Sequence, residues 1–232
     1  MLKYITEKEQ KKQKKITSHF NLHRNANLKN RNKKEMSVSR PQEDTYIHKG
    51  LRRELVQIIR EQGIKDKRVL EALGRLPRHF FTDSALLQRA YEDFDFPIAN
   101  GIILGRPFIA AQNLQLLEVN EYDDVLEIGT GSCYQACLMA EMHASVYTIE
   151  KDRESYNMVS HYFFLGNYPS ISRFIGEGKY GLPTYAPFDK IIINAPIKQI
   201  PPKILEQLKP GGTIVYTIND GTSTKLMSLT KE

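Results

Sequence analysis

Cysteine is scarce in this chain: two among 232 residues, Cys133 and Cys137. That is too few for the disulfide framework of a small secreted scaffold. No His stands near them in ligand spacing, so the roughly four donors of a zinc site are not expected either. Long apolar runs are also missing; none approaches the roughly 20 residues that cross a bilayer. The chain opens without the apolar stretch of a secretory leader. These absences make a cytoplasmic protein, with no membrane contact, the expectation.

Acidic residues are sparse in one region only. Residues 1–45 carry 12 Lys/Arg against 5 Asp/Glu, whereas the rest carries 21 against 22. The formal charge of +6 therefore belongs to a tail, and the remaining body is nearly neutral. A high isoelectric point is then no sign of a nucleic-acid-binding face on the fold. The tail, with KKQKK at 11–15 and NLKNRNKK at 27–34, has no apolar periodicity and is expected to be disordered. Two readings of it stand. Met36 is the physiological first residue, or the tail is a basic arm that touches RNA or acidic partners. Glu7, Glu9 and Glu35 and the scarcity of Arg argue against a mitochondrial presequence.

From Tyr46 onward the pattern changes. Leu51, Leu55, Ile58 and Ile59 share one helical face, ended by Gly63. Asp66 caps a second helix carrying Val69, Leu70 and Leu73. DSALLQRAYED predicts a third short helix, capped by Asp83 or Ser84, and Pro107 begins another over 107–119. Then strands and helices alternate: strands over 124–129, 145–150, 172–177, 188–195 and 213–218, helices over 132–142, 152–166 and 201–208, and a KPGG turn at 209–212. Such alternation predicts an α/β fold, a doubly wound and mostly parallel sheet with right-handed crossovers. The division is a basic extension (1–45), a helical subdomain with a loop (46–119) and an α/β domain (120–232).

Ligands in such sheets bind beyond the carboxyl ends of the strands, at the switch point. The first strand of the series ends in E-I-G-T-G-S-C-Y, residues 127–134. Gly129 and Gly131 permit a tight turn and close backbone approach. The helix that follows Ser132 offers free N–H groups to an anion. A dinucleotide fingerprint fails here, because its third glycine position is Tyr134. E-x-G-x-G is instead the loop of S-adenosylmethionine (SAM) methyltransferases. Glu150 ends the second strand, where an acid accepts ribose hydroxyls. Glu177 ends the third, placed for an adenine amino group.

Residues 46–218 resemble the bacterial protein-L-isoaspartate O-methyltransferase family, through VLEALGRLPRHFF (69–81), AYEDFDFPI (90–98), VLEIGTGSCYQA (125–136), GLPTYAPFDKIII (181–193) and LEQLKPGG (205–212). The resemblance implies a SAM-dependent methyltransferase fold with an N-terminal helical subdomain; a monomer is the expected state. It implies methyl transfer to the free α-carboxyl of isoaspartyl residues in damaged peptides and proteins; the ester then cyclises to a succinimide that reopens in part to normal aspartate. Glu127, Gly129, Thr130, Gly131, Ser132, Glu150 and Glu177 match the family's cofactor-binding positions. The family usually has Gly at Cys133 and Asp at Glu177.

Three departures bear on function. The family's substrate loop reads G-Q-T-I-S-Q-P, and its Ser hydroxyl orients the substrate carboxylate. The aligned residues here are Gly101, Ile102, Ile103, Leu104, Gly105, Arg106 and Pro107. The hydroxyl is lost at Gly105, and one hydrogen bond to a charged group corresponds to about 10- to 150-fold in turnover. Arg106 either attracts the carboxylate or is a surface residue at the rim. Second, Asn194-Ala195-Pro196-Ile197 replaces the family's T-A-A or T-A-G run. It weakly resembles the N-P-P-Y motif of amino-methyltransferases, which needs an aromatic that Ile197 does not supply. Third, the family adds a C-terminal strand antiparallel to strand five, and an unpaired edge is expected there, although TSTKLMSLTKE has the makings of one more short strand. The readings carried forward are an isoaspartyl methyltransferase, a SAM-binding module without turnover, and an RNA-directed methyltransferase using the tail. His79 is expected to pack in the core, and Tyr91, Phe94 and Phe96 to join the subdomain to the sheet.

Overall fold

The structure is a computed structural model that describes residues 3–4, 43–98, 101–219, 221 and 223–232. The basic runs at 11–15 and 27–34 lie outside these residues. Two helices open the body. Helix α1 (Tyr46–Glu61) starts at Thr45, whose side chain accepts from the His48 amide in a capping box. After α1, Gly63 takes a left-handed φ of 111° and the chain turns back. Helix α2 (Lys67–Arg75) is capped by Asp66, which accepts from Arg68 N at 2.9 Å.

Residues Ser84–Arg89 form a 3₁₀ helix rather than the expected α-helix. Asp83 makes no side-chain cap there, and i→i+3 bonds such as Leu86 N to Asp83 O (2.9 Å) close the turn. A hairpin follows, β2 (Phe96–Pro97) with β3 (Ile103–Leu104), leading into α3 (Pro107–Leu117). Tyr91 and Phe96 are buried as expected, whereas Phe94 is 38 % exposed, its ring lying 6.0 Å from that of Phe96.

The α/β unit comprises β4 (Asp124–Ile128), α4 (Tyr134–Glu141), β5 (Ser145–Glu150), α5 (Arg153–Ser160), β6 (Ile171–Ile175), β7 (Phe188–Ile197), α6 (Pro202–Glu206) and β8 (Leu208–Asn219). Its strands β4 to β8 pair in parallel, with β4 flanked by β5 on one side and β7 on the other. Buried Val125, Leu126, Val146, Ile191, Ile192, Ile214 and Val215 make these strands apolar on both faces, as a helix-covered parallel sheet requires.

Three local expectations change. Helix α5 stops at Ser160, and a 3₁₀ turn spans Phe163–Asn167. Tyr162 and Phe164, two residues apart, are both buried against Phe81, and a continuous helix would point them to opposite sides. The KPGG segment is absorbed into the start of β8 rather than forming a separate turn. There Gly211 donates to Lys231 O at 2.7 Å, and a Cβ on Gly212 would lie 2.8 Å from Asp189 O. Finally, the edge expected to be open is closed. Strand β9 (Thr224–Thr230) runs antiparallel along β8 from Thr213 opposite Thr230 to Asn219 opposite Thr224. Beyond β9 lies β1 (Lys3–Tyr4), set against Ser228 and Met227, so two residues of the expected disordered tail are a strand.

Candidate functional site

The site forms where the chain leaves β4. Gly129 (φ 94°) and Gly131 (φ 52°) are both left-handed, and so is Cys133 (φ 64°), a conformation disfavoured for any side chain. The family's glycine at position 133 thus has a backbone reason. A Cβ on Gly131 would meet nothing within 4 Å, so the loop borders open space. Behind it Cys133 N donates to Thr130 O at 2.8 Å and α4 begins, its first amides pointing back to the loop. Both cysteines are fully buried; burial first, then the neighbouring Cys133 sulfur, pushes the Cys137 thiol well up. Ser132 is buried, its Oγ accepting from Tyr134 N at 3.4 Å.

Glu127 faces inward, fully buried. Its carboxylate accepts from Thr148 Oγ1 (2.6 Å), Asn194 Nδ2 (3.0 Å) and Gln135 Nε2 (3.4 Å). Burial raises its pKa to about 7, against the three hydrogen bonds that lower it. Thr148 spends its proton on Glu127, so Thr130 Oγ1 donates to Thr148 Oγ1 at 2.7 Å. Glu150, at the end of β5, accepts from Gly131 N (3.1 Å), Lys151 N (2.9 Å) and Asp152 N (3.0 Å). Its carboxylate is thereby fixed across the switch point from the glycine loop. Glu177 is exposed and lies two residues beyond β6 rather than at its end.

Residues Thr148, Gln135 and Asn194 escaped the sequence reading as members of this network. Gln135 carried a signal, a lone carboxamide in an otherwise apolar helix start. Asn194 belongs to the stretch that weakly resembled N-P-P-Y, yet its Nδ2 serves Glu127 and the carbonyl of Gly129 (2.9 Å).

The loop contributes differently. Ile102 and Leu104 are buried and Ile103 is 58 % exposed, as the hairpin alternation demands. Gly101 needs its glycine, with φ 75°. Gly105 does not: its φ is ordinary, and an added Cβ meets nothing within 4 Å. Arg106 is held by two neighbouring aspartates. Its Nη2 donates to Asp93 at 2.6 Å and its amide to Asp95 at 2.8 Å.

One buried cation ties these parts together. Arg78 is fully buried; its Nε donates to Ala90 O (2.8 Å) and its Nη2 to Phe94 O (3.1 Å), while its guanidinium lies 4.8 Å from the Tyr134 ring centroid at the start of α4. His79 packs in the core as expected, accepting from Tyr91 OH at Nδ1 (2.7 Å) and meeting Glu43 O at Nε2 (3.1 Å). Burial lowers its pKa to about 4. Asp44, His48 and His79 bring ligand atoms within 4.8 Å of one another, but Asp44 is taken up by Arg52 (2.9 Å) and both ring nitrogens of His79 are engaged.

Residues 50–232 match the family Protein-L-isoaspartate(D-aspartate) O-methyltransferase. A protein-L-isoaspartate O-methyltransferase of Cytophaga hutchinsonii is 41 % identical over 189 residues, 82 % of this chain and 85 % of that protein. One of Christiangramia forsetii is 42 % identical over 187 residues, 80 % of this chain and 86 % of that protein. Two solved structures share the fold. One, described as a protein-L-isoaspartate O-methyltransferase, has TM-score 0.71 and 24 % identity over 78 % of this chain and 60 % of that one. The other, from Plasmodium falciparum and solved with S-adenosyl-L-homocysteine, has TM-score 0.67 and 19 % identity over 78 % of this chain and 90 % of that one.

Proposed function

This chain belongs to the protein-L-isoaspartate O-methyltransferase family, and on that premise we infer that it transfers a methyl group from SAM to the free α-carboxyl of L-isoaspartyl residues in damaged proteins. The observation that carries the reading is the pairing of Glu150 with the Gly131 amide across the switch point, beside a loop that borders open space. That donor and acceptor set fits the cofactor. Glu150 Oε2, with one protein donor, has a lone pair left for a ribose hydroxyl. The α4 amides suit its amino-acid carboxylate, and Glu177, exposed beyond β6, suits the adenine amino group. SAM supplies a methyl group activated by its sulfonium.

The chain's own task is lenient. A substrate carboxylate with an ordinary pKa near 3.9 is already ionised at neutral pH, so no general base is needed. Orientation is what remains, and it contributes on the order of 7–11 kcal/mol in well-aligned reactions. In this reading residues 46–119 form the helical subdomain and the substrate loop, with Gly101, Ile103, Gly105 and Arg106 shaping that loop, and residues 120–232 hold the cofactor. The protein acts as a monomer on peptide and protein substrates. Among the described residues no helix is long and apolar enough to cross a membrane.

The test is incubation with an isoaspartyl peptide and methyl-labelled SAM. Base-labile methyl ester above background is the expected result. Binding of S-adenosylhomocysteine with no ester formed would overturn catalysis and leave a cofactor-binding module.

A further inference from the structure

The family's loop hydroxyl is missing at Gly105, and a row of carboxamides ends at the glycine loop. Asn113, on α3 directly after the loop, donates from Nδ2 to Gln135 Oε1 at 3.1 Å. Gln135 Nε2 donates to Asn194 Oδ1 at 2.8 Å, and Asn194 Nδ2 donates to Glu127 Oε1 at 3.0 Å. The row crosses the carboxyl ends of β7 and β4, the switch point where ligands bind in such sheets. Its polarity is not free. The Gly129 carbonyl, 2.9 Å from Asn194 Nδ2, only accepts, so Asn194 turns its NH₂ to Gly129 and Glu127 and its oxygen to Gln135. Gln135 in turn presents its oxygen to Asn113, and Asn113 must offer an NH₂.

The donor count then singles out one group. Asn194 spends both N–H bonds, on Glu127 and on Gly129 O. Gln135 directs its two at Asn194 and Glu127. Asn113 spends one, and its second N–H has no acceptor among the described residues. Asn113 is half-buried, on a rigid helix. We propose that Asn113 is a substrate-orienting residue whose remaining N–H binds the isoaspartyl α-carboxylate, the role left open by Gly105. This rests on the methyltransferase reading above. It also assigns the row a purpose: acceptors anchored at one end, the Gly129 carbonyl and Glu127, fix a donor at the other.

The test compares wild type with Asn113→Ala, Asn113→Asp and Asn113→Gln, measuring kcat and KM for an isoaspartyl peptide and the affinity for S-adenosylhomocysteine. Loss of the donor in Asn113→Ala should lower kcat/KM for the peptide by about 10-fold or more. Asn113→Asp, of the same size but repelling the substrate, should lower it at least as far, and Asn113→Gln should recover part of the loss. Cofactor affinity should stay within about twofold in all three, which a general disturbance of the glycine loop would not allow. Thermal unfolding reports whether each variant folds, and the near-isosteric Asp variant decides if the Ala variant does not. Peptide kcat/KM within about twofold of wild type in the Ala and Asp variants would overturn the proposal. So would an equal fall in cofactor affinity. A wild type that binds S-adenosylhomocysteine but forms no ester would instead sink the methyltransferase reading itself.

Discussion

Asp93 holds Arg106 and the start of α3 together: one carboxylate oxygen takes Arg106 Nη2 at 2.6 Å and the other takes Phe108 N at 2.9 Å. The aspartate is nearly buried, at 10 % side-chain exposure, and the arginine side chain is at 28 %. Loop shape is therefore set from the neighbouring AYEDFDF segment. Replacing Asp93 by Asn should cost about 1–3 kcal/mol, because an amide cannot accept both bonds and leaves Arg106 without its counter-ion. Chemical denaturation checks this, and a midpoint unchanged from wild type would mean the pair is idle.

Gly105→Ser is expected to gain function. Neither φ nor neighbouring atoms oppose a side chain there. Restoring the hydroxyl should raise peptide kcat/KM by about 10-fold, with cofactor affinity unchanged. Steady-state kinetics on an isoaspartyl peptide decides it; no gain would show that the loop's path has moved away from the substrate.

Glu150→Ala should weaken S-adenosylhomocysteine binding by about 10- to 150-fold, the equivalent of one charged hydrogen bond. Isothermal calorimetry reads this directly. Equal affinities for variant and wild type would remove Glu150 from the site and leave it a cap for the turn at Lys151 and Asp152.

Glu127 gives a pH signature of unusual sign. Its folded pKa, about 7, lies above the ordinary 4.5. Between those values the folded protein keeps the proton that the unfolded chain releases. Stability therefore falls as pH rises through that window, by up to about 3 kcal/mol, and the cost is fully present above it. Glu127→Gln should remove the slope. Urea unfolding of both proteins from pH 4.5 to 7.5 tests this, and parallel curves would refute it.

Much of the fold was legible because its strands are apolar on both faces and its helices follow the 3.6 period. Val125, Ile191 and Ile214 could be placed in the sheet from their runs alone. Strand β9 was harder: Thr224 and Lys225 are exposed and only Met227 and Ser228 are buried, so its half-polar run resembles a terminal loop. The 3₁₀ character of Ser84–Arg89 was invisible because it turns on an aspartate that fails to cap. In the site, Glu127, Gly129 and Glu150 were legible since motif spacing and strand ends locate them. The carboxamide row was not, because Asn113, Gln135 and Asn194 sit on three elements that only the tertiary fold brings together. Arg106 was undecidable for the same reason, its partner lying 13 residues away.

The pairing of Lys3–Tyr4 with Ser228 and Met227 means that the outermost strand of the sheet comes from the opposite end of the polypeptide. Exposed strand edges template pairing between molecules. A variant lacking Lys3 and Tyr4 would leave this edge of β9 uncovered. Pairing between molecules at that edge would arise on β9, three strands from β4 and its glycine loop in the sheet.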